Sequence, residues 1–221
     1  MVPNEFDKKR IYGGHSKAAM DRAMRIRSKE RDANPIEEGR ADIVPWFLYD
    51  RQFTAAGSTT AVSYDYFTTP IGGTKYKQDT NMTQVGILPN PQSFNVTSLR
   101  CYFSGQMVIA DINKFLDTYY MEFWVGDKEY AEGPLSMFPG GAGVAGVTTQ
   151  TNVGTFSNGL PSPGAVMDLR MGNDPIGIYI LQGQNFNVKL KTNAGFATTA
   201  ASPVGLSLMI VLEGILTRSV Q

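Results

Sequence analysis

The chain has 221 residues, with one cysteine and one histidine, and its 20 basic and 20 acidic residues give a formal net charge of zero. This length suits one domain with a sizeable hydrophobic core, and the neutral total gives no overall field that would attract nucleic acid or an anionic membrane. The single cysteine excludes an intramolecular disulfide, and one cysteine and one histidine are too few ligands for a zinc site.

The composition favours β-structure. Glycine (23 residues), proline (12 residues) and aromatic residues (11%) are plentiful, while charged residues make up only 18% of the chain. Such a mixture is typical of many short strands that are joined by turns.

The charges are unevenly distributed along the chain. Residues 1–31 contain nine lysines and arginines against four acidic residues, a net charge of +5, and residues 32–221 carry a net charge of −5. The sequence therefore predicts a basic N-terminal arm, residues 1–42, joined to an acidic body, residues 43–221. The arm is charged at Lys8 and Lys9, where a secretory signal peptide would need an apolar run, so we expect a protein made in a cytoplasm.

One helix is predicted within the arm, over residues 16–31. Ser16 is a favourable N-cap, good helix formers without glycine or proline follow it, and Pro35 ends the helical segment. The apolar side of this helix consists of Ala19, Met20, Ala23, Met24 and Ile26. Because so narrow an apolar side cannot stabilise an isolated helix, we expect the helix to lie on the chain's own body, a neighbouring subunit, a membrane or a nucleic acid.

Nine cations make the arm the candidate contact region of the chain. They are Lys8, Lys9, Arg10, Lys17, Arg22, Arg25, Arg27, Lys29 and Arg31. Such side chains neutralise phosphates without reading a base sequence, and they suit anionic lipid head groups equally well. The sequence does not choose among the candidate contacts: the chain's own body, a neighbouring subunit, a membrane and a nucleic acid all remain.

From residue 43 onward the hydrophobic period is two, which indicates strands. The predicted strands are 43–49, 60–67, 93–103, 106–112, 117–125, 175–181, 185–190 and 204–218, with a hairpin turn at 126–128 that leads to 129–131. Pro45 favours an edge position for the first strand, and the run 209–212, apolar on both faces, favours a central position for the last. The glycine- and proline-rich segment 138–164 is predicted to be a protruding or inter-subunit loop.

The order of these elements predicts an all-β fold. No helix of strand-crossover length is predicted between the strands, so we expect an antiparallel jelly-roll β-sandwich of about eight strands with an N-terminal helical arm. An immunoglobulin-like sandwich is the alternative, and the missing Cys and Trp spacing disfavours it. Cys101 is predicted to be a small buried hydrophobe in a strand.

The side chains offer little for catalysis. His15 lies beside two glycines, whereas a catalytic triad needs a base that is held rigidly. Paired carboxylates suffice for sugar cleavage, and four acidic residues lie near one hairpin: Glu122, Asp127, Glu129 and Glu132. We expect them to be solvated or ion-paired. The sequence therefore predicts no enzyme, no cofactor and no metal, with a carboxylate hydrolase as the least favoured hypothesis.

Three runs carry a resemblance to a known class of protein. They are 79–94 (DTNMTQVGILPNPQSF), 126–130 (GDKEY) and 134–139 (PLSMFP). Together with the basic arm and the long glycine-rich loop, they resemble structural proteins of bacterial viruses, in particular capsid proteins of the single jelly-roll kind. The resemblance extends in style over residues 43–218.

The resemblance implies a capsid subunit that self-assembles into an icosahedral shell. Its location would be the virion, after assembly in the host cytoplasm. Its partners would be copies of itself, other virion proteins and, through the arm, an internal membrane or the viral genome. The alternative is a β-sandwich binding module of a virion or a cell, which would recognise a receptor or a carbohydrate.

Overall fold

The fold is described from a computed structural model of the chain. The described residues are 41–104, 106–138, 147–150, 154–157, 167–170, 177–200 and 204–219. The predicted helix at 16–31 and most of the predicted loop at 138–164 lie outside the described residues. The last two residues of the predicted arm, Ala41 and Asp42, already belong to the first strand.

Eleven strands, one α-helix and one 3-10 turn lie within the described residues. The strands are β1 (Ala41–Thr54), β2 (Ser63–Tyr66), β3 (Ser93–Phe103), β4 (Tyr120–Val125), β5 (Lys128–Pro134), β6 (Val147–Gln150), β7 (Gly154–Ser157), β8 (Met167–Asp168), β9 (Ile178–Ile180), β10 (Phe186–Lys191) and β11 (Leu206–Ser219). The helix α1 is Ile109–Thr118, and the 3-10 turn is Leu135–Met137.

The strands form two main sheets in which all pairings are antiparallel. The five-stranded sheet has the order β1-β11-β3-β8, with β9 also paired to β3, and the four-stranded sheet has the order β2-β10-β4-β5. A separate hairpin, β6–β7, lies within the predicted loop segment. Residues of both main sheets share one hydrophobic core, so the fold is an antiparallel, mostly β sandwich, as the sequence predicts.

The pairings are nested around the hairpin of β4 and β5. Outward from this hairpin, β3 pairs with β8 and β9, β2 pairs with β10, and β1 pairs with β11. The chain therefore folds back on itself as one long antiparallel ribbon. Further pairing of β11 with β3 and of β10 with β4 divides this ribbon between the two sheets.

Alternating apolar residues determine which side of each strand faces the core. In β3 the inward side chains include Leu99, Cys101 and Phe103, all of them buried. The burial of Cys101 confirms its prediction, and it raises the pKa of the thiol. In β11 the residues Ile210 and Leu212 are fully buried, and the predicted central position of this strand between β1 and β3 is confirmed.

The prediction of a strand at 106–112 is wrong. Residues 109–112 belong to α1, and β4 begins three residues later than predicted. Ile112, Phe115 and Tyr119 recur every three to four residues and are all buried, so this side of the segment follows the helical period. The apolar run at 107–110, which includes the first residues of the helix, has no such period by itself and suggested a strand.

Hydrogen bonds join α1 to loops from both halves of the chain. The fully buried Asp111 accepts hydrogen bonds from the backbone N–H and the hydroxyl of Thr199, at 2.8 and 3.1 Å. At the end of the helix, the Tyr119 hydroxyl donates to the Ala61 carbonyl at 2.6 Å and lies 2.8 Å from the Thr60 hydroxyl oxygen. These contacts fix the helix at one end of the sandwich.

Two further strands differ in extent from their predictions. β2 is shorter than the predicted strand at 60–67, and Val62, which was expected beside Tyr64 and Tyr66 on one face, is exposed before the strand begins. β1 is longer than predicted because its pairing with β11 continues to Thr54. The edge position that Pro45 indicated for β1 is confirmed.

Candidate interaction surfaces

The arm cations predicted to contact a partner, at positions 8 to 31, lie outside the described residues. Across the described ranges, no group of three or more histidine, cysteine, aspartate or glutamate residues is placed to hold a metal ion. No helix in the part of the chain that the structure describes is long and apolar enough to cross a membrane.

Three of the four candidate carboxylates come together on the outer face of the four-stranded sheet. Glu122 lies opposite Glu132 in the pairing of β4 with β5, and Glu129 lies opposite Trp124. Asp127 is exposed in the turn that joins these strands. Glu122 is largely buried in the inner strand β4, whereas Glu129 and Glu132 are exposed in the edge strand β5.

The Glu122 carboxylate is held in an ion pair. Its two oxygens accept hydrogen bonds from the Lys191 ammonium at 2.8 and 2.9 Å, and one also accepts from the Trp124 indole N–H at 2.8 Å. Burial alone would raise the pKa of Glu122, but these hydrogen bonds outweigh it and the pKa is lowered. The neighbouring Glu129 shows the opposite direction, because partial desolvation and the charges of Glu132 and Glu122 raise its pKa. These contacts are typical of a structural ion pair, beside which the acidic residues Glu129 and Glu132 are exposed.

Replacing Glu122 with glutamine is expected to lower the free energy of unfolding by about 1 kcal/mol at neutral pH, because the charge-assisted hydrogen bonds from Lys191 are lost. A lowered folded-state pKa contributes stability above the ordinary pKa of 4.5, and this contribution disappears as the pH falls below it. Urea unfolding followed by tryptophan fluorescence measures both effects. Glu132→Gln is the control. Equal losses of stability for the two variants would contradict a stabilising ion pair between Glu122 and Lys191.

Apolar side chains form part of the outer side of the five-stranded sheet, beside the ion pair of Arg100 with Glu213. We call this part the outer apolar face, and it is formed by Phe47, Tyr49, Met209, Val211 and Ile215. Phe47 is 52% exposed and Ile215 is 39% exposed, so these side chains meet solvent although the opposite sides of the same strands are buried. Contiguous exposed apolar area of this kind marks an interaction site more often than chance.

Exposure is high where β1 begins. Ile43 is 65% exposed, and Trp46, at 42%, stacks on Phe47 with ring centroids 6.1 Å apart. Both residues directly follow the arm in the chain. Part of the exposed apolar surface of the described residues therefore lies close to the start of β1.

The centre of the outer apolar face is a groove of about 410 Å³. It is lined by Phe47, Tyr49, Lys77, Gln78, Arg100, Met209 and Val211. The Arg100 guanidinium is ion-paired with Glu213, whose other oxygen accepts a hydrogen bond from the Ser98 hydroxyl at 3.0 Å. The groove thus combines apolar side chains with the ion pair of Arg100 and Glu213 and a further cation, Lys77.

The segment 75–81 forms one wall of the groove and covers part of the β1 edge. The Asn81 amide donates to the Phe47 carbonyl at 2.8 Å and accepts from the Tyr49 N–H at 3.0 Å. These are the backbone groups that an additional strand would use, and Pro45 further along the edge has no N–H to offer. Addition of a strand along residues 45–49 of β1 is therefore blocked.

A buried ion pair anchors this wall. The Lys75 ammonium donates to both oxygens of Asp50 at 2.7 and 2.8 Å, and Asp50 is fully buried in β1. One Asp50 oxygen also accepts from the N–H of Phe67, at 2.7 Å, and Phe67 has a φ of 66°. Burial raises the pKa of Asp50, and its contacts with Lys75 and Phe67 lower it in part.

Comparison of the chain with models of protein families, with curated proteins and with solved structures finds no match. The function must therefore be inferred from the fold and its surfaces.

Sequence reasoning predicted the arm but did not identify the outer apolar face. Two signals for it were present in the sequence. The apolar and aromatic run at 43–49 belongs to an edge strand, and the run 209–212 is apolar on both sides although only one side faces the core. A strand that is apolar on both of its faces indicates that its outward face is also covered.

Proposed function

We propose that the chain is a structural protein of a virion, a capsid subunit that self-assembles into an icosahedral shell through a jelly-roll body and an N-terminal arm. Its partners in this proposal are copies of itself and other virion proteins. Assembly takes place in the host cytoplasm, and the arm contacts an internal membrane or the viral genome through its cations.

The nested strand pairing carries this proposal. If β8 and β9 count as one position beside β3, the main sheets hold eight positions, and the first pairs with the eighth, the second with the seventh, the third with the sixth and the fourth with the fifth. This pairing supports a jelly roll, an architecture of eight strands in two sheets. Viral capsid domains, lectins and cupins share this architecture.

Chemistry favours the capsid among these three classes. Cupins bind metal through several histidines, and this chain has one histidine, His15. A solitary lectin has no evident use for a basic arm of some 40 residues or for the outer apolar face. Both features suit a subunit that must bury surface against other molecules.

A polar groove supports the alternative, a β-sandwich module that binds a receptor or a carbohydrate. The groove has a volume of about 290 Å³ and lies between the segment 85–86, Gly126 and the start of β10. Asn185 and Asn187 line it, and the Asn187 side-chain oxygen is buried without a hydrogen-bond partner among the described residues. Amide groups of this kind can bind sugar hydroxyls.

Self-association of the purified full-length chain tests the proposal. Light scattering of the chain over a range of concentrations is expected to detect large particles of uniform mass, because the subunit buries its uncovered surfaces only on assembly. A chain that stays monomeric at high concentration would contradict the capsid function. Binding of that monomer to a glycan array would support the alternative.

A further inference from the structure

Three loops meet at the end of the sandwich that lies opposite α1. The strand β4 begins beside α1 and ends at Val125, which pairs with Phe186, the first residue of β10. The last residue of β2, Tyr66, pairs with β10 near the same end. The turn after β4, the connection before β10 and the segment after β2 therefore converge there. Loops at one end of a β-sandwich are a common place for ligand binding.

Backbone hydrogen bonds hold these loops together. The Gly126 N–H donates to the Asn185 carbonyl at 2.7 Å. The Phe186 N–H donates to the Gly86 carbonyl at 2.8 Å, and the Gly86 N–H donates to the Phe67 carbonyl at 2.9 Å. The buried rings of Phe67 and Phe186 pack with centroids 5.4 Å apart. The polar groove between these loops is therefore fixed by the fold itself, as small-molecule sites usually are.

The described residues that line this groove carry no charge. Asn185 and Asn187 supply amides, which both donate and accept hydrogen bonds. The Thr68 hydroxyl donates to the Asp65 carbonyl at 3.2 Å, so its oxygen is left as an acceptor. Val85, which is 61% exposed, adds apolar surface. A ligand that matches this lining is neutral, carries several hydroxyl groups and has some C–H surface, as a neutral sugar ring does.

The Asn187 amide is the observation that points to a ligand. Within the described part of the chain, its oxygen is the one buried side-chain polar atom without a hydrogen bond. An unpaired buried acceptor is costly, and an apolar residue of similar size would avoid the cost. A half-turn about χ2, which is a soft torsion in asparagine, exchanges the oxygen and the nitrogen, so the acceptor can face the groove. A ligand hydroxyl that donates to this oxygen removes the cost.

The size of the groove suits one ring. Small-molecule sites usually have volumes of about 300 to 1,000 Å³, and the groove, at about 290 Å³, lies at the lower limit. Gly86 and Gly126 at its border have φ angles of 61° and 59°, and their backbone carries no side chain that would keep a ring away. So small a ligand makes few contacts and binds in the millimolar range.

From these observations we infer that the groove binds a single neutral sugar ring through the amides of Asn185 and Asn187. The inference rests on the alternative function, carbohydrate binding, and names its site and its class of ligand. It does not rest on the capsid function, because a shell subunit and a solitary module can both carry this groove.

Saturation-transfer difference NMR of the full-length chain tests the inference. The probes are the methyl glycosides of glucose, galactose, mannose and N-acetylglucosamine, with N-acetylneuraminic acid as the anionic comparison. At least one neutral glycoside is expected to give a signal that falls at least about tenfold in Asn187→Leu, which loses the amide and keeps a side chain of similar size. Asn113→Ala removes an exposed asparagine of α1, at the opposite end of the sandwich, and is expected to keep the signal.

Stability distinguishes a binding role of Asn187 from a structural one. We expect the urea midpoint of Asn187→Leu to equal or exceed that of the native chain, because the substitution removes an unpaired acceptor. A variant that loses both the sugar signal and stability would assign the amide to the fold and would contradict its role in binding.

Three results of the NMR experiment would overturn the inference. They are no signal from any neutral glycoside, a signal that survives both Asn187→Leu and Asn185→Ala, and a stronger signal from N-acetylneuraminic acid than from the neutral probes. The second result would place sugar binding elsewhere on the chain and leave the alternative function standing. Particles in light scattering without any sugar signal would leave the capsid function standing, whereas a sugar signal from a monomer would support the inference and contradict the capsid function.

Discussion

Replacing Lys75 with methionine is expected to lower the free energy of unfolding by about 3 kcal/mol at neutral pH, because it leaves the fully buried Asp50 carboxylate without its cation. The loss should depend on pH. Burial raises the pKa of Asp50 above its ordinary 3.8, and removal of Lys75 takes away the main contacts that lower it. Urea unfolding at several pH values measures the effect.

The sign of the pH dependence follows from linkage. A carboxyl whose pKa is raised by folding contributes most to stability when it is protonated, and this contribution is lost as the pH rises through the folded-state pKa. The deficit of Lys75→Met is therefore expected to shrink as the pH is lowered from neutral towards about 4. A deficit that stays constant over this range would contradict an ionised, buried Asp50.

Two control variants separate the buried charge from other causes. Asp50→Asn combined with Lys75→Met removes both charges and keeps an acceptor for the Phe67 N–H, so it is expected to recover most of the lost stability. Arg170→Met removes the cation of the exposed pair with Asp168 and is expected to have little effect. A double variant as unstable as Lys75→Met would show that shape, and not charge, is responsible.

Replacing Gly214 with alanine is expected to lower the free energy of unfolding by at least about 3 kcal/mol, through a collision in the middle of the five-stranded sheet. A Cβ atom at this position would lie 1.9 Å from the Asn95 carbonyl oxygen, and backbone in a central sheet cannot move away easily. Gly214 also lies where the pairing of β11 with β3 shifts register. Urea unfolding measures the loss.

Gly133→Ala is the matched control for this prediction. Gly133 lies in the edge strand β5, and the nearest atom to an added Cβ would be the sulfur of Met137 at 3.2 Å, the flexible part of an exposed side chain. We expect a change below about 1 kcal/mol, since the methionine can rotate away. Equal losses at the two positions would contradict the collision with the Asn95 carbonyl as the cause of the loss at Gly214.

The sequence predicted the elements whose signals are local. Alternation in 93–103 and 185–190 identified β3 and β10 to within one residue, and Pro45 identified an edge strand. The hairpin turn predicted at Gly126 is present, with a φ of 59° that glycine adopts readily. These features depend on backbone preferences and on burial of one face, which a single strand displays by itself.

Features that depend on distant contacts were not predictable. The ion pair of Asp50 with Lys75 joins residues 25 positions apart, and neither residue differs in sequence from an ordinary surface charge. The helix α1 was missed because its period is completed by Phe115 and Tyr119, beyond the apolar run that resembled a strand. The outer apolar face required the pairing of β1 with β11, which lie at opposite ends of the body.

Electron microscopy of the purified full-length chain tests most directly whether this protein builds a shell. Negatively stained samples at concentrations where light scattering detects association are expected to contain closed, hollow particles of uniform diameter, as the capsid function requires. A field of separate monomers, or of irregular aggregates without closed particles at any concentration, would contradict it.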